Sequence, residues 1–318
     1  MPSSVALIRC GRYDREEVRA AVRRAVGLAG GIEAFVKPGA RVLLKPNLLK
    51  AATPESCVAT HPEVVRAVAE EVLGAGGRPF IGDSPAFGSF RDVGRTTGMD
   101  LVARELGIDL VELGRPVRVT GTNGGPPLKL SRTALEADVV INIPKLKAHC
   151  QLGLTAGVKN LFGCVPGKRK ALWHLRLADK ENLFAEMLVS VYSHVRPALT
   201  ILDAIVAMEG NGPGKGTPKP MGLLLASTDA VAIDRVACEL LAYPHERHRI
   251  LHAARKFGAG ETEIKSISLV GDRLAESRPE RFHHPRPIPI RFNPLRVVKS
   301  TVRHYALKVF GSRTPAKG

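Results

Sequence analysis

The chain has 318 residues, 44% of them hydrophobic, which is enough to bury a sizeable core in one large domain or two smaller ones. Its formal net charge of +17 would point to nucleic acid or membrane if spread evenly, but residues 273–318 carry eleven Lys and Arg against Glu276 and Glu280, so +9 belongs to the tail. Cys10, Cys57, Cys150, Cys164 and Cys238 form no C-x-x-C pair, which argues against a disulfide framework, a zinc ribbon or a ferredoxin cluster, and without an 18-residue apolar run or a secretory leader a cytoplasmic location is expected.

Residues 5–9 read as a first strand, followed by a basic helix over about 16–28 with Val18, Ala21, Val22 and Ala25 on one face. After the turn Lys37-Pro38-Gly39, residues 41–44 form a short apolar strand, and Pro46 is expected to end its pairing, leaving Lys45 and Asn47 at the terminus. Thr60-His61-Pro62-Glu63 starts a helix with Pro62 at its first position and Val64, Val65, Val68 and Val72 as its stripe. Residues 78–81 are the next strand, and Asp83 follows it as a functional carboxylate or a cap.

A helix over about 93–106, a strand near 109–113 and an alternating edge strand at 117–119 come next, then the turn Asn123-Gly124-Gly125-Pro126. Residues 139–143 read as an interior strand that gives way to a polar, glycine-rich loop. Beyond it lie a helix over 179–194, a strand over 198–202 ending in Asp203, a strand over 221–226, a helix over 230–241 and a last strand at 267–270. This alternation predicts an α/β fold: a mostly parallel sheet flanked by helices in three layers, with a two-lobed division near residues 120–145 that would set the site between the lobes. Residues 1–272 form the α/β domain, and 273–318 read as a proline-punctuated linker and a basic amphipathic helix on which Leu295, Val298, Val302 and Val309 fall near one face.

The polar chemistry gathers in residues 141–170, where Lys145, Lys147, His149, Cys150, Lys159, Asn160 and Lys168 lie among Gly153, Gly157, Gly163 and Gly167. Ligands of open α/β sheets collect outside the carboxyl ends of strands, so cations delivered there suit a small anionic ligand, whereas the plainer alternative is a solvated loop. His149, Lys147, Lys145 and Asp83 are the catalytic candidates; Lys45, Asn47, Lys159, Asn160, Gly163, Asp203, Glu209, Asn211 and Lys215 are candidates for holding substrate or cofactor. Metal-ligand candidates are His149, His174, Cys150 and Cys164. Burial among like charges would depress a lysine's pKa and make Lys145 or Lys147 a base or nucleophile, and the sequence does not choose between them. The segment 209–216 is a flexible connection or a backbone loop that wraps an anion or closes as a lid; it lacks P-loop spacing, and no G-x-G-x-x-G follows a strand.

Three segments together, VLLKPNLL at 42–49, INIPKLKAHCQLGLTAGVKNLFGCVPG at 141–167 and LDAIVAMEGNGPGKGTPKPMGLLLASTDAVAIDRVAC at 202–238, resemble the domain-of-unknown-function-362 family over roughly residues 5–270. Many members of that family carry a ferredoxin-like module with four-iron four-sulfur clusters, which implies redox work; this chain has no C-x-x-C-x-x-C, so electrons would come from an external redox protein. The stretch from His149 to Pro166 is also loosely similar to the nickel-dependent lactate racemase group, which implies a phosphate-bearing metal cofactor among lysines and histidines.

These readings predict an enzyme-like protein, an oxidoreductase or isomerase, that binds an anionic substrate or phosphate-bearing cofactor. One alternative is a non-catalytic metal-, cluster- or cofactor-handling protein acting with a redox partner. Another is nucleic-acid or membrane-surface binding through residues 285–318, which would place the chain at the inner face of the membrane. A homo-oligomer is compatible with all three.

Overall fold

The computed structural model describes residues 3–167, 170, 173, 177 and 181–286. Lys168, His174 and the amphipathic segment 295–309 lie outside them.

The strands are β1 (Ser4–Arg9), β2 (Arg41–Pro46), β3 (Arg78–Asp83), β4 (Asp109–Glu112), β5 (Pro116–Val119), β6 (Leu128–Ser131), β7 (Val139–Ile143), β8 (Lys145–His149), β9 (Gly153–Thr155), β10 (Leu199–Glu209), β11 (Thr217–Ser227) and β12 (Ser268–Gly271). The helices are α1 (Arg15–Leu28), α2 (Pro62–Gly74), α3 (Phe90–Thr96), α4 (Met99–Leu106), α5 (Arg132–Leu135), α6 (Gly157–Asn160), α7 (Glu181–Val195), α8 (Ala230–Leu240) and α9 (Arg249–Phe257).

Eight strands run in the order β12-β1-β11-β10-β7-β2-β3-β4, with β8 attached to β10 and β9 to β8, so both halves of the described chain share one sheet. The pairs from β10 through β7, β2 and β3 to β4 are parallel, and β11 is antiparallel to both neighbours. Alternation along each strand sends side chains to opposite faces. Val42 and Leu44 join Val18, Val22, Val64, Val68 and Ile141 on one side. Leu43 joins Val140, Leu202, Phe184, Val236 and Leu251 on the other, which gives the three layers.

Local signals set the helix starts. Asp14 accepts from Glu17 N at 3.1 Å ahead of α1, and Asp229 accepts from Val231 N at 2.8 Å and Ala232 N at 3.1 Å ahead of α8. Pro62 occupies the first turn of α2 behind His61.

Several expectations need correction. The helix anticipated over 93–106 is two, because Gly98 takes the left-handed conformation at φ 77° between α3 and α4. Pro46 does not end pairing at Leu44: β2 runs through it, with Pro46 in register with Ile143 at the strand's last residue. The cation-rich segment after β7 is a buried strand, β8, that pairs in parallel with β10 before turning into β9. Asp203 is therefore mid-strand rather than terminal, since β10 continues for six more residues to Glu209. The strand at 117–119 pairs with β6 in a separate two-stranded sheet.

Candidate functional site

From β2 the chain proceeds outward through β3 to β4, and from β7 it proceeds the other way through β10 to β11, so the strand order reverses between β2 and β7. A crevice at the carboxyl ends of strands forms at such a reversal. Lys45 and Asn47 come from the end of β2, Asp83 from the end of β3, and β8 rises from the end of β7. On β8, Lys145, Lys147 and His149 share one face by two-residue periodicity, while Leu146 and Ala148 pack into the core on the other.

Two of the lysines are neutralised by carboxylates. Lys45 and Asp83 are paired at 3.0 Å with both side chains buried, and Lys45 Nζ also donates to Pro46 O at 2.6 Å. Asp83 accepts from Leu48 N and Ser84 N, each at 2.7 Å, so both carboxylate oxygens are engaged. Lys145 and Asp203 are paired at 3.0 Å, again buried. Asp203 accepts further from Tyr13 Oη at 2.9 Å and His61 N at 3.0 Å, and Lys145 also donates to Tyr13 Oη. The Tyr13 and His61 rings stack with centroids 3.6 Å apart. Burial pushes the Tyr13 phenol upward and holds the His61 imidazole down at about 4, so both are neutral groups here.

Lys147 differs. Its Nζ donates to Asn47 Oδ1 and, at 2.8 Å, to Val58 O, but no carboxylate contacts it among the described residues. Burial first, and then the charges of Lys159 and Lys145, lower its pKa well below the usual lysine value. Lys159, on α6, is partly exposed and has no hydrogen bond or ion pair to a described residue; burial lowers it to about 8. Asn47 Nδ2 donates to Asn160 Oδ1 at 3.1 Å, and Asn160 Nδ2 donates to Lys45 O at 2.9 Å and Asn142 Oδ1 at 2.8 Å. This amide chain fixes α6 against β2 and β7.

The next turn is held as closely. A Cβ on Gly163 would stand 2.1 Å from Asp83 Oδ1, so that position accepts only glycine without displacement. Asp234 of α8 accepts from the amides of Gly157 and Val158, and burial raises its carboxyl to about 8. His149 Nδ1 accepts from Gln151 N at 3.2 Å and Leu152 N at 3.3 Å, so the neutral ring carries its hydrogen on Nε2. Beyond the β8–β9 turn lies a cavity of about 960 Å³ whose lining includes His149, Cys150, Gly153, Tyr243, Arg247 and His284.

The model of a domain of unknown function, DUF362, matches residues 42–239, which contain the side chains of this crevice except Tyr13. The thylakoid-associated protein sll1697 of Synechocystis sp. (strain ATCC 27184 / PCC 6803 / Kazusa) is 43% identical over 309 residues, spanning 97% of this chain and 96% of that protein. The chain belongs to the DUF362 family. Among solved structures, the lactate racemase apoprotein from Thermoanaerobacterium thermosaccharolyticum is similar at a TM-score of 0.49 and 13% identity, over 76% of this chain and 57% of that one.

Within this DUF362 chain the crevice gathers Lys45, Asn47, Asp83, Lys145, Lys147, Lys159, Asn160, Gly163 and Asp203 from the expected residues. His149 and Cys150 sit at its boundary with the cavity. Glu209, Asn211 and Lys215 fall elsewhere, on the β10–β11 hairpin: Glu209 pairs with His283 at 3.2 Å, Asn211 Oδ1 accepts from Arg286 N at 3.3 Å, and Lys215 is exposed. That hairpin packs against β8 through Cys150 N, which donates to Gly212 O at 3.2 Å.

Tyr13, His61, Asn142, Lys170 and Asp234 were missed. Lys170 is buried, donates to Ser84 O, and is lowered to about 8 by burial. The available signals were a tyrosine just past the first strand and a polar Asn142 inside an apolar one. Among the described residues no three His, Cys, Asp or Glu side chains gather as metal ligands. Burial pushes the Cys164 thiol up to about 12 and also raises Cys150, so the thiols present do not fit a thiolate-held cluster.

Proposed function

We propose that this DUF362 protein binds a small anionic ligand, a phosphate ester or a carboxylate, in the crevice between β2 and β8 and acts on it as an enzyme. The carrying observation is the contrast among the lysines: Lys45 and Lys145 each have a buried carboxylate, whereas Lys147 and Lys159 stand together with none among the described residues. Uncompensated positive charge in a buried site is costly, and an anion that enters it offsets that cost. The two ion pairs and the Asn47–Asn160–Asn142 chain then serve as a rigid frame, and His149, at the end of β8, is the acid–base group beside it.

Isothermal titration of the full chain with inorganic phosphate and with small carboxylates tests the reading. Saturable binding is expected, with a loss of about tenfold or more in Lys147→Met and Lys159→Met and none in the exposed Lys265→Met. Absence of saturable binding, or equal affinity in all three variants, overturns it.

A second reading concerns location. The relative that spans nearly the whole chain is named for its association with thylakoids, and residues 273–318 here carry a balance of +9. Among the described residues no helix is long and apolar enough to cross a membrane, so the association proposed is peripheral and electrostatic, through the tail. Co-sedimentation with vesicles containing anionic phospholipid, lost in high salt and on deletion of residues 285–318, supports it; equal binding to neutral phosphatidylcholine vesicles contradicts it.

A further inference from the structure

Among the described residues, every buried lysine at the crevice is engaged. Lys45 holds Asp83 and Pro46 O, Lys145 holds Asp203 and Tyr13, Lys147 holds Asn47 and Val58 O, and Lys170 holds Ser84 O. Those four are at most 6% exposed, so none of their amines is placed to attack a carbonyl carbon, while the charge of Lys147 still acts across the crevice. Lys159 is partly exposed, makes no hydrogen bond or ion pair to a described residue, and lies among groups whose charges it influences directly, Lys147 and Cys150. Its backbone is immobilised at both ends of α6, by Asp234 at Gly157 and by Asn160 at Lys45 O. The bonds from Lys147 to Asn47 and from Asn47 to Asn160 place α6, and Lys159 with it, beside the lysine cluster.

We infer that Lys159 is an amine nucleophile that forms an imine with a small carbonyl compound bearing a carboxylate or phosphate. The inference rests on the anion-binding reading above, because Lys147 supplies the attraction for the anionic group. In the step, the Lys159 nitrogen adds to the carbonyl carbon, forming a C–N bond and a carbinolamine. The carbon–oxygen bond then breaks, and the oxygen leaves as water with both amine hydrogens; no oxidant or reductant is consumed. A lysine near pH 8 in its titration has an ample unprotonated fraction for this attack, and conversion to a neutral imine removes one of two adjacent positive charges.

The test treats the full-length protein at pH 7.5 with pyruvate and cyanoborohydride, followed by peptide mass mapping. The expected result is a single reduced adduct on Lys159 that forms on the order of tenfold or more faster than adducts on exposed lysines such as Lys265, and that inorganic phosphate suppresses. Lys159→Arg should lose the adduct. Adducts spread evenly over surface lysines, with saturable phosphate binding intact, overturn this inference alone. Loss of phosphate binding altogether overturns the anion site and the inference with it.

Discussion

Asp83 and Gly163 stand so close that a Cβ on the glycine would lie 2.1 Å from Oδ1 of the carboxylate and 2.5 Å from Nζ of its partner Lys45. The buried ion pair and the turn after α6 are therefore one packed unit. Gly163→Ala should cost at least about 1–3 kcal/mol in urea denaturation, since neither the pair nor the backbone can recede freely. Gly167→Ala is the comparison: its Cβ would meet nothing within 4 Å among the described residues, but its φ of 60° should cost about 1 kcal/mol through backbone strain alone. If phosphate affinity falls only in Gly163→Ala, the contact and not the backbone supports the site.

Lys145 and Asp203 make the same kind of statement on the other side of the crevice. Removing one partner, as in Lys145→Met or Asp203→Asn, leaves a buried charge or its hydrogen-bonding shell uncompensated and should cost about 3–5 kcal/mol. The double variant Lys145→Met/Asp203→Leu should lose much less than the two single losses combined. A double-mutant cycle by chemical denaturation measures this coupling, and additive losses would show that the pair is not a unit.

Lys147 should respond in the opposite sense. Its ammonium is buried without a carboxylate, so Lys147→Met removes a desolvation cost and should leave the thermal midpoint unchanged or raised while phosphate binding falls about tenfold or more. Parallel loss of midpoint and binding would mark Lys147 as structural.

Much of this arrangement is legible in the chain. Lys145, Lys147 and His149 recur with strict two-residue spacing, interleaved with Leu146 and Ala148, which is the strand signature. The same residues also carry a loop signature, because lysines are rarely buried and Pro144 and the following glycines punctuate the segment. The carboxylates that make burial tolerable, Asp83 and Asp203, lie 38 and 58 residues from their partners, and no local pattern links them. Tyr13 is the extreme case, joined to Asp203 across 190 residues. Helix starts were legible because their caps are local. Whether Lys45 would be paired and Lys147 unpaired depends on strand order, which topology alone supplies.

The pH dependence of binding follows from the same lysines. Burial lowers Lys159 to about 8 in the folded chain from the ordinary lysine value of 10.5, so the unfolded chain holds the extra proton between these values. Stability is penalised in full below about pH 8, and the penalty is relieved as pH rises from 8 towards 10.5. Anion binding should move the other way, because the charged form is the one an anion meets. Sulfate, whose own charge is constant across this range, should bind up to about tenfold more weakly for each pH unit above 8. A profile flat from pH 7 to 10 would exclude Lys159 from the site, and Lys159→Arg should flatten it.

Asp234 sets the position of Lys159 without touching a ligand. It accepts from the Gly157 and Val158 amides in a buried environment that raises its carboxyl from 3.8 to about 8. In the interval between those values the folded chain holds a proton that the unfolded chain releases, so this group's contribution to stability is greatest below pH 3.8 and declines as pH climbs to 8. Asp234→Asn keeps an acceptor and carries no charge. It should match the wild type below pH 3.8, exceed its stability at pH 7, and remove this decline from the pH–stability curve. Asp234→Ala strands two buried amides and should cost about 1–3 kcal/mol. Because α6 then loses its anchor at Gly157, the Ala variant should also weaken phosphate binding while the Asn variant retains it; equal affinities in the two would show that Lys159 is held in place by Asn160 alone.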